Sequence, residues 1–360
     1  NSDTPSLDQK ETLKNISREE ALNESERVNF ENDNIIGSIS LKGASIDDLT
    51  FKNYKINLDD EKKVTLLGPR NIKEGYLVES GFVTSDKNID IPNSDTMWSI
   101  IGNNKLTDQS PIKLSWTNNQ GITFEKEISL DNKYLFTIKQ RVINKTNNKY
   151  DFYSYGQIIR NQIPNITDFY ILHEGLVATL DDELIEEDYD DIQEKKFTKT
   201  AQKGWLGISD KYWITSLIPP KDKEFKTTFD YKDKFRANFI ATEPLELGPN
   251  SSIEENLQII VAAKRVDVID GYAKSLAIDK FDLVIDWGFL YFITKPLFFG
   301  IDYFFKLLGN YGLAIIAITI CIRLVFFPLA NFSFRSMAKM KALTPEMVRL
   351  KELHKNDKMK

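Results

Sequence analysis

The sequence predicts a mainly β protein that ends in helices: a large antiparallel sandwich, an aromatic amphipathic helix, one apolar span and a basic tail. Three observations carry that expectation. From about residue 35 to residue 264, short runs with apolar residues on alternate positions are separated by Asn, Asp and Gly turns, the mark of hairpins with one buried face. Between Lys306 and Arg335 the only formal charge is Arg323, and about 20 apolar residues suffice to cross a bilayer core. Charge is also lopsided. Eight bases against three acids give residues 335–360 a net +5, and the other 334 residues, in a chain of net −6, carry −11.

The totals also exclude. With 360 residues, 41% of them hydrophobic, the chain can bury a sizeable core and is not wholly disordered. A single cysteine rules out a disulfide framework or a Cys-cluster zinc site. Two histidines, His173 and His354, leave little room for His-dependent catalysis, and no cofactor or metal is expected. The acidic balance speaks against nucleic acid, whose phosphates need a basic surface. A mean hydropathy of −0.35 reads as soluble but hides the one span. The chain begins at Asn1 without a signal sequence, which predicts a processed N-terminus or a piece of something longer.

Residues 1–34, with nine acids, four bases and Phe30 as the single aromatic, read as a flexible polar linker. Residues 35–281 read as the sandwich. Ile122, Phe124, Ile128 and Leu130 alternate, and beyond the Asp131-Asn132 turn so do Tyr134, Phe136, Ile138 and Val142. Phe235/Ala237/Phe239 and Ile253/Leu257/Ile259/Val261 repeat the pattern, the second entered through Gly248-Pro249-Asn250. Neither a Gly-rich phosphate loop nor a βαβ alternation appears. Ile269, Tyr272, Ala273, Leu276 and Ala277 then have helical spacing, so one amphipathic helix closes the domain.

Residues 286–309 are crowded with aromatics, and Lys295, Asp302 and Lys306 fall on one narrow stripe of a helix. That pattern favours a helix at the membrane–water boundary. The rival, a second span broken at Pro296, would put the basic tail on the same side as the acidic body. The span itself is placed at 311–331. The positive-inside bias puts residues 332–360 in the cytoplasm and residues 1–285 across the membrane. Within the tail, Thr344-Pro345-Glu346 reads as a helix start, Thr as N-cap and Pro at the first position.

Arg323 is the residue that most needs a reason. A mid-span Arg costs roughly 2.5–3.5 kcal/mol to insert. The eleven Leu, Ile, Val and Phe between Leu313 and Leu329 return about 3–7 kcal/mol. The span therefore inserts, with much of its margin spent. Either Arg323 snorkels to the cytoplasmic interface, or, the favoured reading, it lines a polar, water-accessible cavity together with Thr319, one turn earlier. Cys321 lies off that face and reads as packing.

Other candidates take a blander reading. The acidic run from Asp181 to Glu194 lacks the Gly-directed turn and ligand spacing of a calcium loop and reads as a solvated loop. Trp98, Trp116, Trp205 and Trp213 could form a sugar platform but read as core. His173 alone makes no triad.

The last seventy-five residues add a resemblance. Trp287-Gly288-Phe289-Leu290-Tyr291-Phe292-Ile293-Thr294-Lys295-Pro296-Leu297 comes first, then Gly309-Asn310-Tyr311-Gly312. Arg323 with Pro328-Leu329 follows, and last Ser336-Met337-Ala338-Lys339-Met340. In that order they closely resemble the YidC/Oxa family of membrane protein insertases, and Asn119-Gln120-Gly121-Ile122-Thr123-Phe124 and Lys203-Gly204-Trp205-Leu206 extend the likeness to residues 35–360.

The resemblance implies a non-enzymatic insertase and chaperone of the bacterial inner membrane. Its sandwich would be a periplasmic β-supersandwich like that of galactose mutarotases, and its aromatic helix would lie on the periplasmic membrane surface. The span would be the family's second transmembrane helix, with Arg323 and Thr319 in a hydrophilic groove that receives substrate. Residues 332–360 would begin a cytoplasmic helical hairpin. Implied partners are nascent membrane proteins, the Sec translocon, the ribosome and the lipid bilayer. A first transmembrane helix and four later ones would lie outside this sequence, which is expected to be a fragment unable to insert anything alone. Two other readings remain: a membrane-anchored scaffold, and a carbohydrate-binding or carbohydrate-active sandwich, the latter disfavoured by the shortage of histidine.

Overall fold

The computed structural model describes residues 13–57, 59, 61–164, 173–288 and 290–353. Two units emerge, Asn1–Asp286 and Trp287–Lys360.

The first unit is the expected sandwich. One sheet has eleven strands, and its main path runs Phe197–Ala201, Phe225–Tyr231, Phe235–Ala241, Tyr150–Arg160, Tyr76–Val83, Ser45–Lys55, Ile35–Ser40, Arg27–Glu31 and Lys105–Leu106. The other has nine, in the order Glu183–Asp188, Gly175–Leu180, Gly204–Ser209, Trp213–Ile218, Ser252–Ala263, Leu135–Asn144, Ile122–Leu130, Ile112–Thr117 and Ser99–Ile101. Pairing is antiparallel apart from the short parallel contact of Arg27–Glu31 with Lys105–Leu106. The hairpin read from alternation forms in register, with Phe136 opposite Leu130, Ile138 opposite Ile128 and Val142 opposite Phe124. Its turn is held by Asp131, whose carboxylate accepts from the N–H groups of Lys133 and Leu135.

Inward-facing aromatics join the sheets. Phe30 meets Phe136 edge-on at 5.2 Å, Phe124 meets Phe152 at 5.7 Å, and Phe51 stacks on Trp213 at 4.5 Å. Each such side chain contributes about 1.5–3 kcal/mol where it is fully buried, as Phe30, Phe51, Phe136 and Phe152 are.

The tether expected over residues 1–34 is corrected from residue 13 onward; residues 1–12 lie outside the described residues. Helix α1, Arg18–Leu22, is closed by a capping box in which Ser17 and Glu20 satisfy one another's backbone N–H groups. Strand Arg27–Glu31 pairs with Ile35–Ser40 and buries Val28 and Phe30 completely. Two apolar positions are too few for a period to show. Their charged neighbours are paired rather than merely solvated, Arg27 with Asp47 and Arg18 with Asp48.

A second correction concerns the acidic run. Asp181 and Asp182 take left-handed backbone and turn a hairpin. Glu183–Asp188 is then a strand, followed by helix α2, Tyr189–Glu194. Only Ile185, Tyr189 and Ile192 are buried, which is why the stretch looked like loop. Helix α3, Val266–Ser275, buries Ile269 and Tyr272 of the expected face and also Val268; Ala273 and Leu276 are half-buried, and Ala277 is exposed beyond its end. The Tyr272 hydroxyl donates to Asp131 and accepts from the Tyr134 N–H.

The second unit is a pair of helices, α4, Tyr291–Leu308, and α5, Tyr311–Leu353.

Candidate functional site

The α4–α5 connection is two residues long. Gly309 adopts φ 68°, a conformation that suits glycine, and its N–H bonds the Phe305 carbonyl at 2.8 Å. Asn310 then caps α5, its side-chain oxygen accepting from the Leu313 N–H at 3.2 Å. Phe305 stacks on Tyr311 across the connection at 3.9 Å. Further along, a Cβ added to Gly300 would lie 2.8 Å from Ile318 Cδ1, so the helices pack side by side at a glycine. At the start of α4, the Thr294 hydroxyl bonds the Trp287 carbonyl and the Lys295 ammonium sits 5.6 Å from the Trp287 ring. The expected polar stripe of α4 holds an ion pair between Asp302 and Lys306 at 2.6 Å.

On α5, Ala314 is buried and Ala317, Ile318 and Ile322 are half-buried, the helical spacing of one packed face. Thr319 and Arg323 lie about 100° round from Ile318 and Ile322, and both are exposed. The Thr319 hydroxyl donates to the Ile315 carbonyl at 2.7 Å, leaving its oxygen as an acceptor. Pro328 has no N–H to offer the Leu324 carbonyl, next to Arg323. The two expected residues therefore share one face of α5, which this unit leaves uncovered. Cys321 is exposed rather than packed.

By length and composition, the helix beginning at Tyr311 can cross a membrane. It does not stop near 331, however. Thr344, read as the cap of a new helix, lies inside α5 and donates to the Met340 carbonyl at 3.0 Å. The intervening Ser, Met, Ala, Lys and Leu contain no glycine at which to stop, so the helix propagates and Pro345 costs it one hydrogen bond.

The remaining candidates resolve into structure. Trp98 and Trp205 are buried, and Trp116 and Trp213 pack half-buried against the core, so no platform forms. His173 lies 3.2 Å from Asp188 and 3.1 Å from the Leu176 carbonyl; His354 lies outside the described residues. Among the described residues no His, Cys, Asp and Glu side chains cluster to hold a metal.

Sequence reasoning missed a polar cluster inside the sandwich. Lys126 stands on the same parity as Ile122, Phe124, Ile128 and Leu130, and its ammonium is buried, bonded to the Ser80 carbonyl of the opposite sheet at 2.6 Å. Burial lowers its pKa from the usual 10.5 to about 8, against the pull of Glu79. A lysine in an otherwise apolar alternation was the signal.

Known proteins can now be set beside this geometry. The family described as the YidC periplasmic domain matches residues 27–299, and that described as the 60Kd inner membrane protein matches residues 303–360. A membrane protein insertase YidC of Pelagibacter ubique is 69% identical over the whole chain, which covers 64% of that relative. One from Brucella melitensis biotype 1 is 39% identical over 96% of this chain and 58% of its own length. The chain thus spans about three fifths of the curated relatives it matches. A galactose mutarotase-related enzyme from Lactobacillus acidophilus shares 12% identity at a TM-score of 0.46, over 66% of this chain and 97% of that one; at that distance it adds nothing to the sandwich already described. Matched over both its sandwich and its helical pair, this chain belongs to the YidC family, whose curated members carry the name membrane protein insertase.

Proposed function

We propose that the whole protein inserts membrane proteins into the bacterial inner membrane and chaperones their folding there, without covalent chemistry. In this reading the sandwich is periplasmic, α4 lies on the periplasmic surface of the inner membrane, α5 spans, and the basic end of α5 is cytoplasmic. The observation that supports it most is the position of Arg323, exposed beside Thr319 on the face of a spanning helix that α4 does not cover. A guanidinium there has little water to screen it, so it attracts acidic flanks of an entering hairpin more strongly than it would in bulk solvent. Transfer of the substrate's apolar segment into lipid drives the step, and the polar face lowers the barrier for the flank that must pass. The Sec translocon and the ribosome are the partners expected for such a role.

Substrate insertion by proteoliposomes containing full-length wild type, Arg323→Ala or Arg323→Lys, at matched amounts, tests the reading. The Ala variant should insert and fold, since it sheds an insertion cost, yet lose about tenfold or more of its rate on acidic-flanked substrates. Lys should keep part of the rate, as a point charge without the planar fork. Equal rates for all three would remove the electrostatic role. Topology is checked separately with Ser251→Cys and Lys351→Cys in a Cys321→Ser background. Only the first should react with an impermeant maleimide added to spheroplasts, and equal labelling would revive a second span at α4.

A further inference from the structure

The larger sheet is split. Strands Ser45–Lys55 and Tyr76–Val83 share a single pair, Ile46 with Val78. Beyond it the gap is closed by residues 92–98, tied down by Gly43 N–H to the Thr96 carbonyl at 2.8 Å and Trp98 N–H to the Leu41 carbonyl at 2.9 Å. Behind this closure lies a small cavity of about 20 Å³ lined by Ser80, Trp98, Lys126 and Gln140 among others. That is space for one water or one ion of similar radius.

All four of these side chains are more than nine-tenths buried, and each offers a donor. Ser80 Oγ, Trp98 Nε1 and Gln140 Nε2 have no hydrogen-bond partner, and neither has the amide acceptor among these side chains, Gln140 Oε1. Lys126 makes one hydrogen bond, to the Ser80 carbonyl, and among the described residues no carboxylate pairs with it. Two carboxylates also line the cavity, but both are engaged elsewhere: Glu79 by Arg70 and by Gln157 Nε2 at 2.8 Å, and Glu125 by Lys113 at 3.0 Å. A buried ammonium with spare protons, beside three unmet donors, lacks an acceptor that carries negative charge. A water would satisfy some of the donors and leave the charge facing only neutral groups, the Ser80 carbonyl and the Trp98 ring 5.1 Å away.

We propose that this cavity is a binding site for one small monovalent anion of halide size, held by Lys126, Trp98, Gln140 and Ser80. The anion bridges the two sheets at the split, where strand pairing is interrupted, and so should stabilise the sandwich.

The test uses the 360-residue chain in detergent. Thermal unfolding is followed in chloride, bromide and gluconate at equal ionic strength, and crystals soaked in bromide are examined for anomalous scattering. The expected result is a saturable rise in Tm with chloride and bromide but not gluconate, with a bromide peak within contact distance of Lys126 Nζ. Lys126→Met should weaken the halide effect at least tenfold. Should that variant fold poorly, Ser80→Ala is to show a smaller loss in the same direction. Equal unfolding of the wild type in all three salts, with an ordered water and no anomalous peak in the cavity, would overturn the site.

Discussion

In the sandwich, Phe30, Phe51, Phe136, Phe152, Phe229 and Phe239 are completely enclosed, whereas in the helical pair Phe292, Phe299, Tyr303, Phe326, Phe327 and Phe332 stand exposed. The residue types are the same and the partners differ. Two sheets present inward faces to one another and need nothing further. Two helices can cover only one stripe of each other, and the apolar surface left over is far larger than a water-soluble protein tolerates. Under the proposed function the missing partner of the helical pair is the membrane, together with whatever else shares it.

Glycines sharpen the contrast. At Gly204 the backbone holds φ 143°, and an added Cβ would lie 1.9 Å from the Thr179 carbonyl oxygen of the neighbouring strand. Backbone cannot step aside there, so Gly204→Ala should destabilise the sandwich by on the order of 4 kcal/mol. Denaturant unfolding followed by near-UV circular dichroism reads this directly, and a loss below about 1 kcal/mol would mean that the sheet is more plastic than its packing implies.

The buried charge supplies the next largest effect. Lys126 titrates near 8 in the folded chain and near 10.5 when unfolded. Below pH 8 both states hold the proton and stability is flat. Between 8 and 10.5 the unfolded state binds more protons, so stability rises with pH, by about 3 kcal/mol at most. In halide-free buffer, wild type compared with Lys126→Met should show that rise. A difference that stays level from pH 7 to 10.5 would place the ammonium in solvent.

The helical pair should be more forgiving. Gly300 faces the terminal methyl of Ile318, which can rotate away, so Gly300→Ala should cost only about 1 kcal/mol. The double variant with Ile318→Ala should recover part of the loss. Thermal unfolding of the full chain in detergent, followed by the helical signal in far-UV circular dichroism, measures both; a cost as large as at Gly204 would make the pair as tightly packed as the sandwich.

How much of this was legible follows from the number of residues that carry each signal. Alternation over eight apolar positions of the 122–142 hairpin is long enough to read. The strand Arg27–Glu31, with Val28 and Phe30 alone, is too short. The span announces itself by eleven large apolar side chains and one arginine. Thr344-Pro345 misled, because a cap and a mid-helix threonine differ in backbone angles rather than in composition.

Local periodicity and charge, which need no knowledge of distant neighbours, determined the sandwich, the apolar span, the basic tail and Arg323 as the residue demanding a reason. Tertiary structure alone decided the rest. It decided which strands of the larger sheet fail to pair beside Val78. It decided that Lys126 reaches across to Ser80, 46 residues away in sequence. It also decided that α4 covers the Ile318 side of α5 and leaves Arg323 open. Each of these depends on which surfaces meet, and surfaces meet between segments that the order of residues keeps far apart.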